Sequence, residues 1–148
     1  MPLNDATPHH PCGCPQVAVY GTLRRGGIND IRRFQADVRW LGHCRLPGQL
    51  YDLGAYPGLV LDGAHAVLAE VYALTPALER DLDRLEEVWP VDIGEYAKRI
   101  IDVQMTPLGG GPPQTLPVLV YEALPAGVRG RARIAADDWL GWWTQRQG

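Results

Sequence analysis

Short apolar segments broken by glycine and proline constrain this chain more than any other feature. The sequence has 17 Gly and 13 Pro among 148 residues, and its uninterrupted apolar runs are only a few residues long. Such runs are too short to span a bilayer. Strand-like segments outnumber helical ones by about six to three and do not alternate regularly with them. This order predicts an α+β fold, a small mixed β-barrel of about six strands with flanking helices, rather than a doubly wound sheet.

The N-terminal segment differs in composition from the rest of the chain. Residues 1–16 are rich in Pro and Gly and predict a flexible tail, while residues 17–148 have the length of one domain. The tail contains His9, His10, Cys12 and Cys14, which together could bind zinc. Its prolines and glycine favour a flexible segment instead, so we predict no metal site and no disulfide framework.

Charge and termini limit the classes of partner. The net charge of −3 lacks the basic surplus of a nucleic-acid-binding protein. The N-terminus has no apolar stretch behind basic residues, so no secretory signal is predicted and we expect a cytoplasmic protein. The expected partner is a small molecule, without nucleic acid, membrane or cofactor, and the expected state is a monomer or a homodimer.

The clearest helix is predicted between Thr75 and Val88. Thr75 is a favourable N-cap, and proline follows it at the first helical position. Successive residues turn by about 100°, so three leucines cluster within about 60° and form the buried stripe (Leu78, Leu82 and Leu85). Glu86 then lies about 70° from the centre of this stripe, whereas Glu87 points to water. The helix therefore brings one of its two adjacent glutamates to the edge of the core.

The position of Glu86 has a chemical consequence. The C-terminal end of a helix carries partial negative charge, which opposes ionisation of a nearby carboxyl. Partial burial acts in the same direction. Both effects are expected to raise the pKa of Glu86 toward the range that suits a general acid or base near neutral pH. A boundary glutamate without a function is the alternative on this helix alone.

A glycine directly after an apolar strand marks a second site. Gly21 follows the strand-like segment that ends at Tyr20, and such a turn can expose consecutive backbone N–H groups. These groups can bind a carboxylate or a developing oxyanion. The spacing of later glycines does not match a phosphate-binding loop, so nucleotide binding is not predicted.

Several segments resemble, in the same order, the motifs of γ-glutamylcyclotransferase-like domains, and the resemblance covers about residues 17–143. The segments are a Tyr-Gly-(Ser/Thr)-Leu-(Arg/Lys) signature at 20–24, Gly-x-Leu-Tyr-x-Leu-Gly-x-Tyr-Pro at 48–57, Gly-Glu-Val-Tyr with Ala for Gly at 69–72, Leu-Asp-x-x-Glu at 82–86, a Tyr-x-Arg strand at 94–99 and Val-Tyr at 120–121. The family often has Gly after the motif glutamate, where this chain has Glu87. The loop at 88–93 also departs from the family pattern, so the resemblance does not identify the substrate.

The resemblance implies a reaction and a set of site residues. The reaction is intramolecular aminolysis, in which a γ-glutamyl amine or peptide releases 5-oxoproline and an amine without a cofactor or metal. Glu86, the last residue of the Leu-Asp-x-x-Glu motif, is implied as the catalytic acid and base. The implied substrate-binding residues are the backbone of Gly21, Thr22 and Leu23, the pocket wall at Tyr20, and the side chains of Arg24, Tyr96 and Tyr121.

Three alternatives stay open from the sequence. Glu70 and Glu95 are alternative bases. The chain can also be a non-catalytic small-molecule binding module on the same fold. A third reading is an accessory domain similar to the C-terminal part of amide hydrolases of the allophanate type.

Overall fold

A closed five-stranded barrel forms the centre of the protein. A computed structural model describes residues 7–147. The strands follow the order β1-β3-β2-β4-β5 around the barrel, and only the closing pair, β1 and β5, runs parallel. The predicted mixed barrel with flanking helices is therefore confirmed. The strands are β1 (Gln16–Val19), β2 (Trp40–Asp52), β3 (Pro57–Ala73), β4 (Tyr96–Pro107) and β5 (Gln114–Ala123).

The strand count is five rather than about six because two strands are longer than the sequence suggested. β2 continues through Pro47 and Gly48, and its pairing with β3 shifts register between Gly48 and Gln49. β3 likewise continues from the turn-rich segment at Pro57 through Gly63 to Ala73. Proline and glycine lie within these strands, where a register shift accommodates them without ending the pairing.

The helices agree with the prediction at one end of the main helix and differ elsewhere. In α1 (Pro76–Leu85) the N–H of Leu78 donates to Thr75 Oγ1 at 3.1 Å, which confirms the N-cap. The helix ends before Val88 because Glu87 has a φ of 57°, which a continuing helix does not allow. The sequence predicts a helix from Asn29 or Asp30 to about Ala36, and the structure has there a 3₁₀ turn (Ile31–Arg33) capped by Asp30. The sequence also predicts a terminal helix from Ile134 to Gln145, and the observed α3 (Trp139–Gln147) begins five residues later. A short α2 (Pro125–Val128) lies between them.

Two apolar clusters hold these elements together. Alternate residues of all five strands meet in one cluster, which fills the barrel and includes Trp139 of α3. The second cluster lies on the outer face of the sheet, where Val17, Tyr72 and Leu119 contact Leu78 and Leu82 of α1. Within the described part of the chain, no helix has the length and apolar character needed to cross a membrane.

The N-terminal segment lies against α1. Residues 1–6 are outside the described part, but the N–H of Cys12 donates to Glu79 Oε2 at 2.9 Å, and His9 Nε2 lies 2.7 Å from Asp83 Oδ2. The indole N–H of Trp89 donates to the carbonyl of Pro8 at 3.0 Å. These contacts attach the described part of the predicted flexible tail to α1 and to Trp89. The prolines of this segment prevent regular structure but not hydrogen bonding to a neighbouring helix.

Candidate active site

A pocket of about 340 Å³ lies between the turn after β1 and the C-terminal end of α1. It brings together residues that are far apart in the sequence, among them most of the predicted site. Its walls include the backbone turn at 21–23, four tyrosines and three carboxylates: Tyr20, Gly21, Thr22, Leu23, Tyr56, Glu86, Glu87, Glu95, Tyr96 and Tyr121. The pocket is therefore the place in the molecule where the predicted acid and the predicted amides meet.

The turn after β1 presents unused backbone donors. The N–H of Arg24 donates to the carbonyl of Gly21 at 3.1 Å and closes the turn. Among residues 7–147, no recorded hydrogen bond uses the N–H of Gly21, Thr22 or Leu23 as donor. A side chain at position 21 would place its Cβ 2.6 Å from Pro57 Cγ, so glycine is required for the close approach of β3. These amides can donate hydrogen bonds to an anionic oxygen in the pocket.

Glu86 carries the unpaired carboxyl of the site. It is the C-cap of α1, and its own N–H donates to the carbonyl of Leu82. No hydrogen bond or ion pair to its carboxyl is recorded among the described residues. Burial raises the pKa of Glu86 to about 8, and the charges of Glu95 and Asp83 add to that rise. A carboxyl of this kind can exchange a proton near neutral pH.

The helix geometry predicted from the sequence holds for Glu86, the C-cap of α1, whereas Glu87 lies beyond the helix. Glu86 faces the pocket and is partly buried, while Glu87 is exposed at its rim. The raised pKa was expected from burial and from the helix terminus. The structure adds a contribution that the sequence analysis did not consider, since Glu95 arrives from the start of β4.

The three predicted tyrosines line the pocket, but their hydroxyl groups donate hydrogen bonds to other residues of the protein. Tyr20 donates to the carbonyl of Tyr121 at 2.7 Å, and Tyr96 donates to the carbonyl of Pro57 at 2.9 Å. Tyr121 donates to Asp83 Oδ1 at 2.6 Å. Tyr20 thus forms the wall as expected. The expected donor role of the other two is not supported, because their protons are already bound to buried acceptors.

Comparison with known proteins identifies the family. Residues 17–141 match the family described as gamma-glutamyl cyclotransferase, AIG2-like. The chain belongs to this family. The gamma-glutamylcyclotransferase family protein YtfP of Escherichia coli (strain K12) is 33% identical over 132 residues, which cover 84% of this chain and 96% of that protein. The crystal structure of an AIG2-like protein from Mus musculus has a TM-score of 0.65 at 25% identity and covers 88% of this chain and 90% of that one.

A likeness in fold extends to one of the alternatives considered from the sequence. The structure of Kluyveromyces lactis allophanate hydrolase has a TM-score of 0.61 over 91% of this chain but is only 18% identical, and the match covers 22% of that longer chain. This likeness concerns the fold alone. Within the AIG2-like family, the chemistry of this chain must therefore be argued from its own pocket.

Arg24 does not reach the pocket of this family member. Its side chain is buried, with Nε 3.1 Å from Glu70 Oε2 and Nη1 2.6 Å from Asp138 Oδ1. It therefore holds the turn to β3 and to the residue before α3, and it is not among the residues that line the pocket. Glu70 also accepts from the N–H of Arg25 and from Tyr72 Oη, which leaves it paired and away from the pocket. Of the two alternative bases, only Glu95 lines the site.

Sequence reasoning missed a paired cluster next to the pocket. Glu79 and Asp83 of α1 are almost fully buried, and both contact Lys98 Nζ, at 2.9 Å in the case of Asp83. Asp83 also binds His9 and Tyr121. The sequence offered one signal for this cluster: Lys98 is the only lysine of the chain. Carboxylates four residues apart on a helix share a face, but nothing local indicates that this face is buried.

The residues considered as metal ligands do not assemble as suggested. The N–H of Cys14 donates to Cys12 Sγ at 3.4 Å, and the Cys14 thiol donates to the carbonyl of Gln16, while His9 turns to Asp83. Among the described residues, the group with ligand-like spacing is His9, Glu79 and Asp83, whose atoms lie within 4.8 Å of one another. The ammonium of Lys98 contacts both carboxylates and supplies the positive charge there.

Proposed function

We propose that this protein is a γ-glutamyl cyclotransferase that releases 5-oxoproline from a γ-glutamyl amine or peptide. The observation that carries the proposal is the unpaired Glu86 carboxyl in the same pocket as the unused amides of Gly21, Thr22 and Leu23. Membership of the gamma-glutamyl cyclotransferase, AIG2-like family supports it. No cofactor is needed for the reaction, and the expected partner is the substrate alone.

The reaction forms one bond and breaks one bond within the substrate. The α-amino nitrogen attacks the γ-carbonyl carbon, and the carbonyl electrons move onto oxygen. The tetrahedral intermediate then expels the amine as the carbonyl reforms, which leaves the five-membered lactam. Because the nucleophile is tethered to the electrophile, the step avoids the entropy loss of a bimolecular encounter.

Glu86 would relay protons between the two nitrogens. The α-nitrogen loses two protons on the way from –NH3+ to the lactam N–H; the departing nitrogen takes up one of them to leave as an amine, and the second ends on that amine or on solvent. The substrate's α-ammonium cannot attack until it loses a proton, and the departing amine must gain one. With a pKa of about 8, Glu86 is a stronger base than an ordinary glutamate and is still about one-tenth ionised at pH 7. The same residue can then return the proton to the leaving group.

The turn after β1 would bind negative charge. The intermediate carries an oxyanion and the substrate carries an α-carboxylate, and both need donors that do not neutralise Glu86. Backbone amides meet this need because they have no full charge and do not have to reorganise. Arg24, paired with Glu70 and Asp138, would contribute only by holding the turn in place.

The test is an assay of 5-oxoproline release across γ-glutamyl amines and γ-glutamyl peptides. Glu86→Gln keeps the shape of the side chain, so it should fold and lose about 10²–10⁴-fold in rate. Glu87→Gln removes the adjacent charge and should lose much less. Release of 5-oxoproline at an equal rate by Glu86→Gln would remove this residue from its role. Absence of release from every compound, with retained binding, would instead favour a binding module.

A further inference from the structure

A second carboxylate of the pocket, Glu95, has no part in the reaction described so far. It precedes β4 and lines the same pocket as Glu86. Its Oε1 accepts a hydrogen bond from Tyr56 Oη at 2.8 Å. Among the described residues, no hydrogen bond to Glu95 Oε2 is recorded. This carboxylate is therefore held at one oxygen and available at the other.

The backbone around Glu95 is also fixed. The N–H of Leu124, after β5, donates to the carbonyl of Glu95 at 2.9 Å. The next residue, Tyr96, is buried and its hydroxyl is bound to Pro57. On the other side, the N–H of Gly94 donates to Asp92 Oδ1 at 2.8 Å. Glu95 thus enters the pocket from the end of a paired sheet rather than from a free loop.

The pocket as a whole carries negative charge. Three of its lining residues are glutamates, and none of the described residues that line it is Lys, Arg or His. The negative charge of Glu95 also affects Tyr56, because the hydrogen bond between them raises the pKa of the phenol to about 12. A site with several carboxylates and no basic side chain favours a cationic group of the ligand.

We propose that Glu95 binds the α-ammonium group of the γ-glutamyl substrate together with Glu86, and that Tyr56 positions Glu95 for this contact. The inference rests on the proposed function and adds a substrate-binding residue to it. An ammonium has three N–H donors, so it can bind both carboxylates at once. Glu86 takes one proton, while the hydrogen bond to Glu95 restricts how the nitrogen turns toward the γ-carbonyl.

Glu95 also affects the proton equilibrium at Glu86. The titratable groups around Glu86 are Asp83 on its own helix and, from the other elements of the pocket, Glu95 and the phenols Tyr20, Tyr56, Tyr96 and Tyr121. The phenols are neutral in the working range, because the pKa of each is raised. Removing the charge of Glu95 should therefore lower the pKa of Glu86. The acidic limb of the pH–rate profile should move to lower pH in Glu95→Gln.

The decisive test measures binding without turnover. In the Glu86→Gln protein, calorimetry compares N-methyl γ-glutamyl amide with N-methyl glutaryl amide, which is the same molecule without its α-amino group. Adding Glu95→Gln should weaken the γ-glutamyl compound about tenfold and change the glutaryl compound less than about twofold. Adding Tyr56→Phe should weaken the γ-glutamyl compound by a smaller factor. Asp102→Asn removes a carboxylate from an exposed position of β4 and should change the affinity for neither compound.

Each other outcome contradicts a different statement. If Glu95→Gln weakens the binding of both compounds equally, or of neither, the contact between Glu95 and the ammonium is overturned but the proposed function stands. Absence of saturable binding of the γ-glutamyl compound to the Glu86→Gln protein overturns the substrate assignment, and the role of Glu95 with it. An unchanged pH–rate profile in Glu95→Gln overturns its influence on Glu86.

Discussion

Asp83 and Glu86 lie one turn apart on the same helix and have opposite surroundings. Asp83 is almost fully buried and contacts Lys98, His9 and Tyr121. Glu86 has no recorded partner in residues 7–147 and faces the pocket. The two carboxyls differ in what the neighbouring strands and the N-terminal segment bring to them.

The difference teaches how one helix can supply both a structural and a reactive acid. A buried carboxylate that receives a cation and several hydrogen-bond donors is stabilised in its ionised form. A carboxyl that is buried without donors keeps its proton to higher pH, as the raised pKa of Glu86 indicates. In this account, the pairing of Asp83 places a fixed negative charge beside Glu86 and thereby strengthens the base.

The largest expected effect comes from breaking the paired side. Lys98→Met keeps the side-chain length but leaves Glu79 and Asp83 buried without their cation, and should lower the free energy of unfolding by about 3 kcal/mol at pH 7. Urea denaturation measures this loss.

The neighbouring residue offers a matched control. Arg99 pairs with Glu122 at 2.9 Å, but its side chain is 48% exposed, whereas that of Lys98 is 22% exposed. Arg99→Met should therefore cost less than about 1 kcal/mol. Similar losses in the two variants would contradict the contrast between a buried cluster and a surface pair.

An effect of opposite sign is expected from the unpaired side. Because the folded-state pKa of Glu86 lies above the ordinary value of 4.5, the native state loses stability as pH rises from about 4.5 to about 8. Glu86→Gln removes this loss. The variant should match the native protein near pH 4 and exceed its free energy of unfolding at pH 9, where the Glu86 carboxyl is ionised in both the folded and the unfolded native chain. Urea denaturation at both pH values measures the difference, and equal stability at pH 9 would contradict the account.

The smallest of these effects tests the link between the two sides. Tyr121→Phe removes one of the donors to Asp83 and should lower the free energy of unfolding by about 1.5 kcal/mol. The matched control is Tyr56→Phe, whose hydroxyl bonds Glu95 at the pocket rim and should contribute less. A larger loss in Tyr56→Phe would contradict the assignment of Asp83 as the structural acid.

Local signals account for the parts of the structure that the sequence predicted well. The N-terminal end of α1 follows from Thr75 and the proline after it, and the position of Glu86 at the edge of the core follows from helical geometry. The site turn follows from a glycine after an apolar strand. Each of these depends on residues within a few positions of one another.

The parts that the sequence missed depend on distant partners. Arg24 was expected to face the substrate, but its position is decided by Glu70 and Asp138, which lie 46 and 114 residues away. The burial of Asp83 likewise depends on Lys98 and Tyr121, at separations of 15 and 38 residues. No pattern along α1 contains this information.

The most direct test of the account is the titration of the Glu86 carboxyl itself. Carbon NMR of the glutamate side chains, with the Glu86 signal assigned by its loss in Glu86→Gln, follows this group from pH 3 to pH 10. The account predicts a midpoint near 8, because the carboxyl is buried without donors and lies close to the charges of Glu95 and Asp83. A midpoint near the ordinary value of 4.5 would contradict it, since Glu86 would then be an ordinary solvated carboxylate.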